Sequence, residues 1–193
     1  MNLLTAAVLV AALGAGYYPT VREWTTDWWY ALGGRGELWW WLPTIFLHAG
    51  AEHLGYNMVA LLVTAGAVEF LAGRVWTYLL YLFTGIAGMA FSYWGHHHPP
   101  LSIGASGAIY GLAGAAIAIV LRRRPLFSYR QRWKSWRVYL PLFLVLALPS
   151  LLRADYWGHA GGLVSGLLLG PFVPPHPRLS LLGSEEASAT EPE

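Results

Sequence analysis

Ser106 stands in Gly104-Ala105-Ser106-Gly107, where a glycine-flanked turn opens an otherwise apolar run. His159, 53 residues on, stands in Gly158-His159-Ala160-Gly161-Gly162, again at the opening of an apolar run. A serine hydroxyl becomes a useful nucleophile when an adjacent base takes its proton, and neutral imidazole has that capacity. Polar side chains inside membrane-spanning sequence are costly and mark functional positions by default. The two residues therefore point to a Ser106–His159 pair working within a bilayer. Acyl transfer also needs hydrogen-bond donors for the developing oxyanion. Candidates are the amides at the start of the helix that Ser106 opens, together with His53 and Asn57, whose i, i+4 spacing puts both on one helix face. No carboxylate stands out as a third member. Asp155, four residues before His159, reads as a loop residue, so the reading is a dyad.

Six apolar runs are available to position these groups, near residues 3–17, 54–72, 75–95, 102–121, 138–152 and 157–173. A transmembrane helix takes about 20 apolar residues, with a range of about 17–25. The first, fifth and sixth runs are short and need flanking residues or local bilayer thinning. The first run is rich in small residues near its end, as a signal peptide would be, but lacks a basic leader and reads as an uncleaved helix. The chain is 56% hydrophobic and 11% charged over 193 residues, more apolar surface than a soluble domain of that length could bury. Eleven tryptophans and eleven tyrosines suit two water–lipid boundaries, and the lack of cysteine excludes disulfides and thiolate metal sites. The expected fold class is all-α, a polytopic membrane protein of six transmembrane helices. Residues 1–173 form one membrane domain and residues 174–193 a short disordered cytoplasmic tail.

The basic residues set the orientation. Arg122, Arg123, Arg124, Arg130, Arg132, Lys134 and Arg137 lie between the fourth and fifth runs. With a cytoplasmic N-terminus this loop is cytoplasmic, as are Arg74 and Arg178, leaving Arg22, Arg35 and Arg153 outside. The cluster reads as a topology determinant, and no nucleic-acid partner is expected. Both termini are then cytoplasmic. The fourth and sixth runs descend from outside to inside, which puts Ser106 and His159 at similar depth near the extracytoplasmic face, level with His53 and Asn57. Gly158, Gly162, Gly166 and Gly170 recur every four residues along the sixth run, matched by Gly107, Gly111 and Ala115 on the fourth. Such small-residue stripes permit close backbone approach, and packing the two together would bring Ser106 near His159.

At these residues the chain resembles the rhomboid family of intramembrane serine proteases. Gly104-Ala105-Ser106-Gly107 is similar to its GxSG motif; His48, His53 and Asn57 stand in the HxxxxHxxxN pattern of its second helix. His159, Gly162 and Gly166 follow the HxxGxxxG of its last core helix, and Tyr110 matches an aromatic that packs on the catalytic histidine. The resemblance covers roughly residues 37–170 in order and spacing. It implies the six-helix rhomboid fold, with Ser106 as nucleophile, His159 as base, and His53, Asn57 and the Ser106 amide as the oxyanion hole. Gly104, Gly107, Tyr110 and His48 would support them. It further implies a transmembrane protein substrate cut within or beside its membrane helix, in a bacterial-type plasma membrane, with the active site opening to the extracytoplasmic side. Glu37-Leu38-Trp39-Trp40 departs from the family, with Trp40 where many bacterial members have arginine.

Other polar residues have plainer readings. His96, His97 and His98 form a solvated outer loop, and the spacing of His48, Glu52 and His53 is not that of a zinc helix, so no metal or other cofactor is expected. Glu69 is a structural residue near Arg74. Six tryptophans between residues 19 and 47 suit a loop lying partly in the outer leaflet. Two other readings stand beside a protease: an inactive rhomboid-like protein that binds transmembrane helices, and a small transporter. The transporter is disfavoured by the absence of an internal repeat.

Overall fold

The computed structural model describes residues 41–46, 48, 51–96, 103–122, 155–174 and 176. After a short turn of helix, α1 (Trp41–Thr44), come α2 (Ala51–Ala72), α3 (Arg74–Gly95), α4 (Ser106–Arg122) and α5 (Tyr156–Leu169), the last extended by a 3-10 turn over Gly170–Phe172. All regular structure among the described residues is helical. Helices α2 and α3 have 22 residues each. At about 1.5 Å per residue that is about 33 Å, enough to cross a hydrocarbon core of roughly 30 Å. Both are long and apolar enough to cross a membrane. These elements account for the second, third, fourth and sixth apolar runs. The first and fifth runs, the tryptophan-rich loop before Trp41, His97, His98, the basic loop beyond Arg122 and the charged tail lie outside the described residues.

Three boundaries differ from the expectation, each for a local reason. α2 starts at Ala51, so His53 is on the helix itself. α4 starts at Ser106 and not at 102, because residues 103–105 form a turn in which Gly104 has φ +127°. α5 gives way to the tighter turn at Gly170, where Pro171 supplies no amide to continue the helix. The chain also stays attached beyond Val173: the His176 amide donates to the Leu71 carbonyl at 3.0 Å. The His176 ring lies 2.9 Å from where a Cβ on Gly73 would sit. Gly73, at φ +86°, makes the reversal between α2 and α3. Glu69 and Arg74 close that reversal with a 3.0 Å ion pair, as their spacing led one to expect.

α4 is the central element. From Ala108 to Ala116 every residue is buried, and the helix packs against α2, α3 and α5. A helix apolar on all sides is stable only when enclosed in this way. The outer surface is correspondingly apolar, with Val59, Phe70, Val75 and Phe83 exposed. Thr64, Thr77 and Thr84 are buried polar residues, and each hydroxyl donates to a carbonyl one turn back in its own helix region, at 2.9, 3.0 and 2.7 Å. None leaves an unpaired group where water is scarce.

The expected glycine stripes do meet. A Cβ on Gly162 would collide with the Gly107 carbonyl, one on Gly166 with the Gly111 carbonyl, and one on Gly170 would lie 2.7 Å from the Ala115 oxygen. Since lipid offers no hydrophobic drive for helix association, such backbone contact supplies the van der Waals packing in its place. At the top of the ladder α3 joins in: a Cβ on Gly88 would lie 2.8 Å from the Gly158 oxygen and 3.2 Å from the Gly107 Cα. Three helices thus touch backbone to backbone one residue below Ser106 and one residue before His159.

Candidate active site

Ser106 is the first residue of α4. The turn before it is held from two sides. The Gly104 amide donates to the Thr44 carbonyl at 3.1 Å. On its other side, the position of a Gly104 Cβ would be 2.8 Å from His53 Cε1 and 3.5 Å from Asn57 Nδ2. Only glycine meets both demands, a positive φ and no side chain against α2. The Ile109 amide donates to the Ala105 carbonyl at 2.9 Å, the first bond that closes the helix. The amides of Ser106, Gly107 and Ala108 precede it and have no carbonyl within the helix to pair with. They lie at the positive end of the helix dipole.

Asn57 is 6% exposed, and its Nδ2 is buried with no hydrogen-bond partner among the described residues. Leaving a buried donor unpaired costs about 1–3 kcal/mol. His53 lies one turn before it on α2. His48 meets the His53 ring edge-on, centroids 5.2 Å apart and planes at 68°. His48 is 1% exposed, with Nδ1 3.1 Å from the Phe46 carbonyl. Burial, and after it the neighbouring His53, pushes His48 down to about 4. The ring is therefore neutral near pH 7, and its Nδ1 carries the proton that the Phe46 carbonyl accepts. The segment is pinned to α3 by Tyr81, whose hydroxyl donates to the Ile45 carbonyl at 2.9 Å.

His159 lies in the first turn of α5 and is 8% exposed. Its imidazole stacks on Tyr110, centroids 4.2 Å apart and planes at 9°. Tyr110 is one turn after Ser106 and shares its helix face. His159 is thus brought over the face of α4 that starts with Ser106, with no direct hydrogen bond between the two among the described residues. Of the residues singled out in sequence, Gly104, His53, Asn57 and His48 form one group, and His159 and Tyr110 form another. Gly107 lies in the backbone ladder, and Ser106 stands between the groups.

Asp155 lies outside the helix, as expected, and it has a structural role there. It is the N-cap of α5, and its Oδ1 accepts from the Gly158 amide at 3.0 Å and from His96 Nε2 at 3.1 Å. His96, read as part of a solvated outer loop, is indeed exposed, and it is the C-cap of α3 that meets this carboxylate. The local signal was present, since Asp is a preferred residue at an N-cap and an apolar run follows it.

Residues 35–176 match the Rhomboid domain family. The chain belongs to the rhomboid family. It is 35% identical over 137 residues to rhomboid protease GluP of Bacillus subtilis, a match covering 70% of this chain and 26% of GluP. YdcA of the same organism is 35% identical over 141 residues, covering 72% and 70% of the two chains. Rhomboid protease AarA of Providencia stuartii is 26% identical over 161 residues, covering 72% and 57%. The chain thus spans about a quarter of GluP's length and over half of AarA's. All the site residues named above fall within the family match.

Proposed function

We propose that this rhomboid-family chain is an intramembrane serine endopeptidase. Ser106 attacks a peptide carbonyl while His159 takes its proton. The imidazolium then protonates the departing amine, and water enters by the same base to release the acyl group from Ser106. The oxyanion of each tetrahedral intermediate is received by Asn57 Nδ2, His53 and the Ser106 amide. The observation that carries this reading is the meeting of the Gly104 turn with the unpartnered Asn57 amide, beside a helix that presents Ser106 and stacks His159 one turn below. Hydrogen bonds between nucleophile and base are often long in a substrate-free enzyme and tighten in the complex.

The substrate is a transmembrane protein. An intact helix hides its carbonyls in i to i−4 bonds, so cleavage favours segments with small or helix-breaking residues. The reading includes six spans, cytoplasmic termini, and a site opening to the extracytoplasmic side of a bacterial-type plasma membrane. It needs no resident metal or nucleotide.

Purified protein in detergent is expected to cut a single-span substrate near the extracytoplasmic end of its helix, without added metal or ATP. Activity should be unchanged by a chelator, and chelator-sensitive cleavage would overturn the serine mechanism. Asn57→Ala is expected to leave measurable but reduced turnover, because removing one oxyanion donor costs on the order of 10²–10³ in kcat. His53→Ala should fall in the same range. Steady-state kinetics on the two variants check both, and near-normal turnover in Asn57→Ala would remove it from the oxyanion hole.

A further inference from the structure

The base His159 is carried by the first turn of α5, in which Trp157 packs on Gly95 of α3 and His159 itself on Tyr110. The residue before it is Gly158, whose carbonyl lies against Gly88 and Gly107, and the one after is the exposed Ala160. The hydrogen bonds that hold this turn converge on Asp155. Its backbone carbonyl accepts from the His159 amide at 3.0 Å, and its Oδ1 accepts from the Gly158 amide at 3.0 Å. The same Oδ1 takes the Nε2 proton of His96 at 3.1 Å, across 59 residues of sequence. The His96 backbone belongs to α3, its amide capping that helix by donating to the Ser92 carbonyl at 3.2 Å.

We infer that Asp155 is a positioning residue for His159, and that His96 is its anchor on α3. The carboxylate does two jobs with one oxygen. It satisfies an otherwise orphaned amide at the start of α5, and it ties that start to the end of α3. The effect of the two residues passes through the placement of the imidazole, and misplacement by about 1 Å can cost on the order of 10² in rate.

The inference rests on the protease reading, and the experiment separates the two. Wild type, Ser106→Ala, Asp155→Ala, Asp155→Asn, His96→Ala and the Asp155→Asn/His96→Ala double variant are assayed on one single-span substrate, with thermal unfolding followed in the same detergent. Failure of wild type to cleave, or cleavage by Ser106→Ala, overturns the protease reading itself. Given Ser106-dependent cleavage, Asp155→Ala should lower kcat at least about tenfold with KM within about twofold, since the loss lies in the chemical step and not in substrate binding. Asp155→Asn keeps a side chain that caps well and should recover most of that loss. Asp155→Asn also keeps an oxygen that still accepts from His96 but lacks the charge, so it weakens the bridge that His96→Ala removes; the double variant should cost no more than His96→Ala alone.

Three results overturn the inference: a kcat in Asp155→Ala within twofold of wild type; a rise in KM that accounts for the whole loss; or additive effects of Asp155→Asn and His96→Ala. If Asp155→Ala does not fold, the Asn and His96 arms still decide the matter by their additivity.

Discussion

Ser106→Ala and His159→Ala are each expected to abolish turnover while leaving the protein folded. Nucleophile and base act as a unit, so removing either forfeits nearly all the covalent catalysis that the pair provides. Combining the two should cost little more than either alone. Ser106→Ala removes one oxygen from a half-buried residue at the start of α4, and His159→Ala removes a ring beside Tyr110 without touching the glycine ladder. Cleavage assays, together with labelling by a serine-directed covalent probe, measure the effect. Labelling should vanish in Ser106→Ala and drop sharply in His159→Ala. If His159→Ala retained near-normal turnover while Ser106→Ala was dead, the base would have to be sought at His53 or His48.

Gly162→Ala is expected to have the second largest effect, although it adds a single methyl group far smaller than most substitutions. Its Cβ would collide with the Gly107 carbonyl, which is backbone and cannot rotate aside. α5 must then shift or tilt away from α4, and His159, three residues earlier on the same helix, moves with it. Overpacking of this kind costs about 1–3 kcal/mol of stability. A displacement of about 1 Å at the base lowers kcat on the order of 10²-fold. Ala160→Leu, a larger change on the exposed side of the same turn, should leave both kcat and the unfolding temperature close to wild type. Equal behaviour of the two variants would show that α4–α5 backbone contact does not control the site.

Much of this arrangement follows from residue type and spacing. Apolar length marked four of the helices now described, to within a few residues at each end. The 3.6-residue period placed His53 with Asn57, and Ser106 with Tyr110, on common faces. Glycines four apart on the fourth and sixth runs foretold a close contact between α4 and α5, because only small residues let two backbones touch. Glu69 and Arg74 were paired correctly because their contact is local. These are all relations along one chain segment, and hydropathy and helical period are properties of a segment.

Other features depended on which segments meet, and at what height. Nothing in spacing says that Gly162 faces the Gly107 carbonyl and not the Gly111 carbonyl, because sliding one helix by a turn preserves both stripes. Steric fit at each glycine selects the register, and Gly88 of α3 takes part in that choice. The contact of Gly104 with His53 and Asn57 likewise arises only when the turn before α4 is pressed onto α2. Asp155 was placed in a loop because its sequence neighbours look like one. It becomes a cap and an anchor through His96, 59 residues away. A carboxylate near the surface can pair with any of several donors, and only the packing of α3 beside α5 brings this one within 3.1 Å. The sequence by itself determined the chemical groups, their faces and their helices. The tertiary structure decided register and partner, because those are set by non-local steric and hydrogen-bond fit that no single segment encodes.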